Sequence, residues 1–283
     1  INFIFFFYFN FFYFNLTLKV NYKNQKNLHE IQSHFCLINL IDKIKIKKIK
    51  IKKKDKINFQ GPFSKFVKKS NNSILNLLKL LRELKLISSY YSVTIKKNIP
   101  VLAGLGGGTG NSATILKHLL KKKINISLLN KLESSIGSDL KLFFYKQGFL
   151  QNLRSVVSVK KHTIFFVLVQ PHVKCSTREI FSKVRNYSKK KKLEKNKINS
   201  RLNFIKHLSE SSNELQSIVE KKYPIIKELL SNIEREKGCY FSRMTGSGSV
   251  CYGLFNNKID AKKAFNNLKI KYPKFWSTLA KTV

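Results

Sequence analysis

Pro100-Val101-Leu102-Ala103-Gly104-Leu105-Gly106-Gly107-Gly108-Thr109-Gly110-Asn111-Ser112-Ala113 is the stretch on which the reading of this 283-residue chain turns. Glycines at 104, 106, 107, 108 and 110 let the backbone approach a ligand closely and adopt positive φ. The spacing predicts a helix over 112–120 directly after them. The first N–H groups of a helix have no intrahelical acceptor, and its dipole favours an anion there. Together these make a phosphate cradle. Thr109 adds a hydroxyl suited to a phosphate oxygen or to the shell of a Mg²⁺ ion. A P-loop is excluded, because no Gly-Lys-Ser/Thr tripeptide is present. A dinucleotide fingerprint is excluded too, since the sixth position from Gly104 is Thr109. A flexible glycine turn with no ligand remains the alternative.

Working outward, a second glycine element stands late in the chain at Met244-Thr-Gly-Ser-Gly-Ser249. It reads either as the other half of a composite site or as a tight hairpin. Asp139, in Gly137-Ser-Asp-Leu140, follows a stretch of helical pattern. A carboxylate near a phosphate site can orient a hydroxyl and take its proton; a turn or capping Asp is the alternative.

Strands are expected over 15–20, 41–56 (alternating Ile and Lys, a half-buried face), 91–96, 163–169, 239–243 and 250–255. Helices are expected over 72–86 with Asn71 or Asn72 as N-cap, 128–136 closed by Gly137, 202–208, 214–236 broken at Pro224, and a terminal helix over 260–271. Residues 189–197 read as a Lys-rich loop. Strands alternate loosely with helices, which makes the class α+β.

The chain carries 55 Lys+Arg against 15 Asp+Glu, a net charge of +40. Such a surface attracts anions. The excess is nearly all Lys and comes with abundant Asn, Ile, Phe and Tyr, the signature of A+T-rich codons, so no nucleic-acid partner is expected. Cys36, Cys175, Cys239 and Cys251 form no CxxC pair and the six histidines no HExxH, so no dedicated metal site is expected. Free thiols point to a reducing, cytoplasmic setting. Residues 1–18 are uncharged and aromatic, but Asn2, Asn10 and Asn15 interrupt them, and no membrane partner is expected.

In this order, these pieces resemble the GHMP kinases. The glycine stretch is similar to the family's P-x3-GLGGGSS-x-AA loop, Gly137-Ser-Asp139 to its G-x-D-V-P-F-F segment, and Met244-Thr-Gly-Ser-Gly248 to its third motif. Weaker echoes are Asn15-Leu16, His29-Glu-Ile-Gln-Ser33, Gly61-Pro-Phe-Ser64, Asn72, Pro171 with Thr177 and Phe181, Asn213-Glu-Leu215 and Tyr272-Pro-Lys-Phe-Trp276.

The resemblance implies a two-domain GHMP kinase fold, with a ribosomal-S5-like half over 1–157 and a ferredoxin-like half over 158–283. It implies transfer of the ATP γ-phosphate, with Mg, to the 2-hydroxyl of a cytidyl diphosphate sugar alcohol in non-mevalonate isoprenoid precursor synthesis. Residues 100–110 would hold ATP, Asn72 would lie near the adenine, and Asp139 would be the base. His29 and Phe181 would hold the cytosine, with Asn15 and Thr177 near the substrate. Another GHMP kinase with a different alcohol, or a catalytically weakened basic binding protein, are the alternatives.

Five positions depart from the family pattern. Tyr13 stands where the family has a catalytic Lys, two residues before Asn15, and Leu28 stands where a Tyr stacks on cytosine. Gly110 replaces the loop's second serine, and Leu140-Lys141 replaces Val-Pro. The similarity starts abruptly at Asn15 and no Met opens the chain, from which a reading-frame error upstream of Asn15 is expected.

Overall fold

The computed structural model describes residues 7–25, 27–50, 54–67, 72–101 and 103–283. Leu102, the alternative cap Asn71, residues 1–6 of the aromatic start and residues 51–53 of the Ile/Lys stretch lie outside them. In chain order the elements are β1 (Phe7–Asn15), β2 (Lys19–Lys23), β3 (His29–Ile49), β4 (Lys56–Gln60), α1 (Ser73–Glu83), β5 (Tyr90–Lys96), α2 (Gly107–Leu120), α3 (Ile126–Ile136), β6 (Gln147–Asn152) and β7 (Ser155–Ser158). They continue with β8 (Phe165–Gln170), α4 (Thr177–Ser182), α5 (Arg201–Ser209), α6 (Gln216–Lys222), α7 (Pro224–Glu234), β9 (Cys239–Met244), β10 (Cys251–Phe255), α8 (Lys258–Lys271) and β11 (Trp276–Lys281).

The chain forms two compact units. The first takes the described residues up to Tyr13 with 40–101 and 106–144; the second takes the rest. In the first, the C-terminal half of β3 pairs antiparallel with β5, and β5 pairs in parallel with β4. Ile44 faces Ile95 across the ladder and both are fully buried, while Lys43 opposite Lys96 is exposed. Period-two alternation therefore sends Ile to the core and Lys to water. Helix α1 forms because Ile74, Leu77, Leu78 and Leu81 recur at helical spacing, and all four are buried. Asn72 starts it: its Oδ1 accepts from the amides of Ile74 (3.1 Å) and Leu75 (3.0 Å). Asn125 caps α3 in the same way, and Gly137 ends it with φ 146°.

In the second unit β8, β9, β10 and β11 form an antiparallel sheet in the order β11-β8-β10-β9. Val167 and Val169 of β8, Leu229 and Ile233 of α7, and Ala261 and Leu268 of α8 share its core. Fully burying one Leu or Val contributes about 2 kcal/mol. The N-terminal half of β3 pairs with β2 and β6, and β6 with β7.

Several expectations are corrected. The strand expected over 15–20 is interrupted. The amides of Leu16 and Thr17 both point to the His34 carbonyl, and Leu16 O accepts from Arg243 and Tyr252, so no ladder runs through 16–18. The stretch expected as one strand over 41–56 is shared by β3, which starts at His29, and β4. Helix α2 begins at Gly107, five residues before the expected Ser112. Helix α8 is not terminal, since β11 follows it. Strands β6 and β7 and helix α4 were not foreseen. Among the described residues no helix is long and apolar enough to cross a membrane.

Candidate active site

In the first unit the site is built on the start of α2. Gly106 caps the helix in the left-handed region, φ 62°, where a side chain is strained. A Cβ there would stand 3.0 Å from the Phe143 ring. The first intrahelical bond runs from Gly110 N to Gly106 O (2.8 Å), so the amides of Gly107, Gly108 and Thr109 precede the helical ladder. Ser73 Oγ donates to Gly108 O (3.1 Å) and so brings the Asn72 cap beside the glycines.

The Gly137-Ser-Asp139 turn meets the same end of α2. A Cβ on Gly137 would lie 2.5 Å from Thr109 Oγ1, so only glycine lets the turn approach the Thr109 hydroxyl. Two residues on, Asp139 is half-buried. Desolvation, then the like charge of Glu133, pushes its carboxyl up to about 6. Glu133 is itself raised by burial and lies 3.3 Å from the buried Lys141 ammonium. Tyr13 is buried, its ring 6.1 Å from that of Phe143.

In the second unit the late glycine element is a backbone-on-backbone contact. Gly104 has φ 77°, and a Cβ on Gly248 would stand 2.6 Å from Ala103 C and O and from Gly104 N. The late element is the hairpin between β9 and β10, as one of its two readings had it, and Gly248 of that hairpin packs against Gly104. Ala103 and Leu105 are buried, so their side chains face the core. Just before them, Pro100 and Val101 belong to the first unit, the one buried and the other half-buried. Asn15 N donates to Thr245 Oγ1 (3.0 Å) and its Nδ2 to Ser33 Oγ (2.8 Å). Asn213 Nδ2 donates to both Met244 O and Gly246 O (2.8 Å each), which holds the turn open. The hydroxyls of Thr177 and Ser247 are 2.8 Å apart.

His29 and Phe181 also come together, their rings 5.1 Å apart, and the ring of the exposed Tyr187 is 6.1 Å from that of His29. Burial and then Lys23 lower the His29 pKa. Leu28 is exposed. The sequence carries no signal for Tyr187 beside His29. That pairing joins residues far apart in the chain.

The GHMP kinases C terminal profile matches residues 191–274. A 4-diphosphocytidyl-2-C-methyl-D-erythritol kinase of Pelagibacter ubique is 35% identical over 275 residues, spanning 95% of this chain and 96% of that protein. The chain belongs to the 4-diphosphocytidyl-2-C-methyl-D-erythritol kinase family. A kinase of the same name from the Wolbachia of Brugia malayi is 30% identical and covers 93% of each chain. A crystal structure of 4-(cytidine 5'-diphospho)-2C-methyl-D-erythritol kinase superposes with TM-score 0.74 at 20% identity, over 97% of this chain and 99% of that one. Mevalonate kinase of L. major follows the same fold at TM-score 0.66 and 12% identity, over 98% and 95%.

The α+β GHMP kinase fold is therefore that of this chain. The C-terminal profile match covers α7, β9, β10 and α8, while β8 and β11 of the same antiparallel sheet flank it on either side in the chain.

Proposed function

We propose that this kinase transfers the γ-phosphate of ATP to the 2-hydroxyl of 4-diphosphocytidyl-2-C-methyl-D-erythritol in the cytoplasm. The observation that carries the reading is Asp139 beyond a glycine turn that abuts Thr109 at the head of α2. In that reading Gly104, Leu105, Gly106, Gly107, Gly108, Thr109 and Gly110 hold the triphosphate, chiefly through backbone amides. Asn72 lies near the adenine, with its Oδ1 already spent on capping α1. Asn15 and Thr177 face the acceptor, and His29 and Phe181 hold the cytosine.

Asp139 takes the proton of the acceptor hydroxyl as its oxygen bonds to the γ-phosphorus and the bond to the β-phosphate oxygen breaks, releasing ADP. A carboxyl with a pKa of about 6 is ionised at neutral pH and more basic than an ordinary aspartate. A Mg²⁺ ion bound with the nucleotide would keep several waters and need only one or two protein oxygens beside the phosphates, which the Thr109 hydroxyl would offer, leaving Asp139 free as the base. It would neutralise charge on the transferring phosphoryl group.

The test is ATP-dependent phosphorylation of that alcohol by the full chain, followed by ³¹P NMR of the product. Asp139→Asn abolishes it; unchanged turnover removes Asp139 from the mechanism. An alcohol panel in which another acceptor reacts faster would replace the proposed substrate.

A further inference from the structure

Beneath the start of α2 lies a buried polar network that none of the roles above uses. Asp42, on β3, is fully buried. Its Oδ1 accepts the backbone N–H of Asn98 (2.9 Å). Its Oδ2 accepts from Asn111 Nδ2 (3.1 Å) and from the Lys97 ammonium, with which it forms a buried ion pair. Asn98 precedes the glycine-rich loop, and Asn111 lies in α2 just after it. One carboxylate thus grips the chain on both sides of the loop.

Lys97 is fixed at both ends. Its amide donates to Gln60 O (2.7 Å), and its ammonium stands 5.5 Å from the centroid of the Phe12 ring. A Cβ on Gly107 would lie 3.1 Å from that ring and 3.3 Å from the ammonium, so the first turn of α2 rests directly on this pair. Asn98 Nδ2 closes the arrangement on Ile41 O (3.2 Å).

Glycine-rich backbone loses the most freedom on ordering, and a site that is ordered beforehand binds more tightly. An aspartate suits this junction because it accepts on both oxygens, whereas an asparagine would turn an N–H donor towards one of these donors. Lys97 and Asp42 cancel in charge, so the pair fixes geometry and leaves attraction of the anion to the helix amides.

We propose that Asp42 is a positioning residue for nucleotide binding: through Asn98 and Asn111 it clamps the two ends of the glycine loop and holds the amides of Gly107, Gly108 and Thr109 aimed at the phosphates of ATP. This rests on the reading of that loop as the phosphate cradle.

The experiment measures ATP binding to the full chain by calorimetry, the KM for ATP and for the alcohol, and amide hydrogen exchange over 106–110 without nucleotide. The variants are Asp42→Asn, Asn111→Ala and the double variant Asp42→Asn/Lys97→Met. The double variant leaves no stranded ammonium and stands in if the single one does not fold. The expected result is a loss of about tenfold in ATP affinity for the Asp42 variants and about threefold for Asn111→Ala. The alcohol KM stays within about twofold, and exchange over 106–110 is faster. ATP affinity equal to wild type in the folded double variant and in Asn111→Ala overturns the clamp. So does an equal rise in both KM values, which would report general loosening. A wild-type chain that binds no ATP overturns the cradle reading itself, and the clamp with it.

Discussion

Replacing Asp139 by Asn should make the protein more stable while stopping its chemistry. Burial, with Glu133 adding like charge, raises this carboxyl from 3.8 to about 6. The native state therefore holds the proton more tightly than the unfolded chain does. Between pH 4 and 6 the native state binds more protons, so stability falls as pH rises through that window, and the full deficit is present above about pH 6. A shift of about two units corresponds to about 3 kcal/mol; partial exposure and relaxation around the charge reduce the recoverable part to about 2 kcal/mol. Asn keeps the shape and removes the charge. For a chain of this size that gain raises Tm by about 4 °C. The assay is thermal unfolding of wild type and Asp139→Asn at pH 7.5 and at pH 4.5. The difference should be present at pH 7.5 and mostly gone at pH 4.5. A variant no more stable than wild type at pH 7.5, or equally stabilised at both pH values, refutes the account of Asp139 as a charge held against its solvation.

Four further outcomes follow. Turnover should show an acid limb near pH 6 and stand at about a tenth of its plateau at pH 5, a limb that Glu133→Gln moves to lower pH; a flat profile from 5 to 8 would contradict it. Gly248→Ala should cost about 1–3 kcal/mol and most activity, because its Cβ would meet Ala103 and Gly104 backbone at 2.6 Å; urea midpoints decide. Arg243→Met should destabilise by about 3 kcal/mol, since the buried guanidinium serves the carbonyls of Leu16, Leu208 and Ser211; a wild-type urea midpoint would count against it. Tyr13→Lys should raise turnover about tenfold by supplying the cation that the resemblance implies there, read from kcat; an unchanged kcat would show that this chain works without it.

Much of the fold was legible because local rules agree. Asn72 followed by Ile74, Leu77, Leu78 and Leu81 gives both the cap and the buried face of α1. Pro224 splits α6 from α7 because it lacks the donor an interior turn needs. The start of α2 was misplaced since glycine is a poor helix former, yet a first turn makes few of the helix's own bonds and tolerates it. Strand β6 was missed because Gln147, Gly148, Gln151 and Asn152 blur the apolar pattern, and β11 because Trp276-Ser-Thr-Leu-Ala-Lys281 barely alternates. For the proposed site, the sequence offers Gly104, Thr109 and Asp139 by residue type and order. The pairing of Asp42 with Lys97, separated by 55 residues, was not, because nothing local marks which of many lysines meets which rare carboxylate.

The irregular stretch from Asn15 to Leu18 has a consequence for synthesis. Asn15 is held by a residue 230 positions later, and Leu16 O by residues 227 and 236 positions later. Phe14 packs on Phe166 and Tyr252. On a ribosome adding roughly ten residues per second, that early segment waits some twenty seconds for its partners. For that interval Phe14 and Leu16 lack the partners that bury them, so the yield of active kinase should respond to elongation speed and to chaperones.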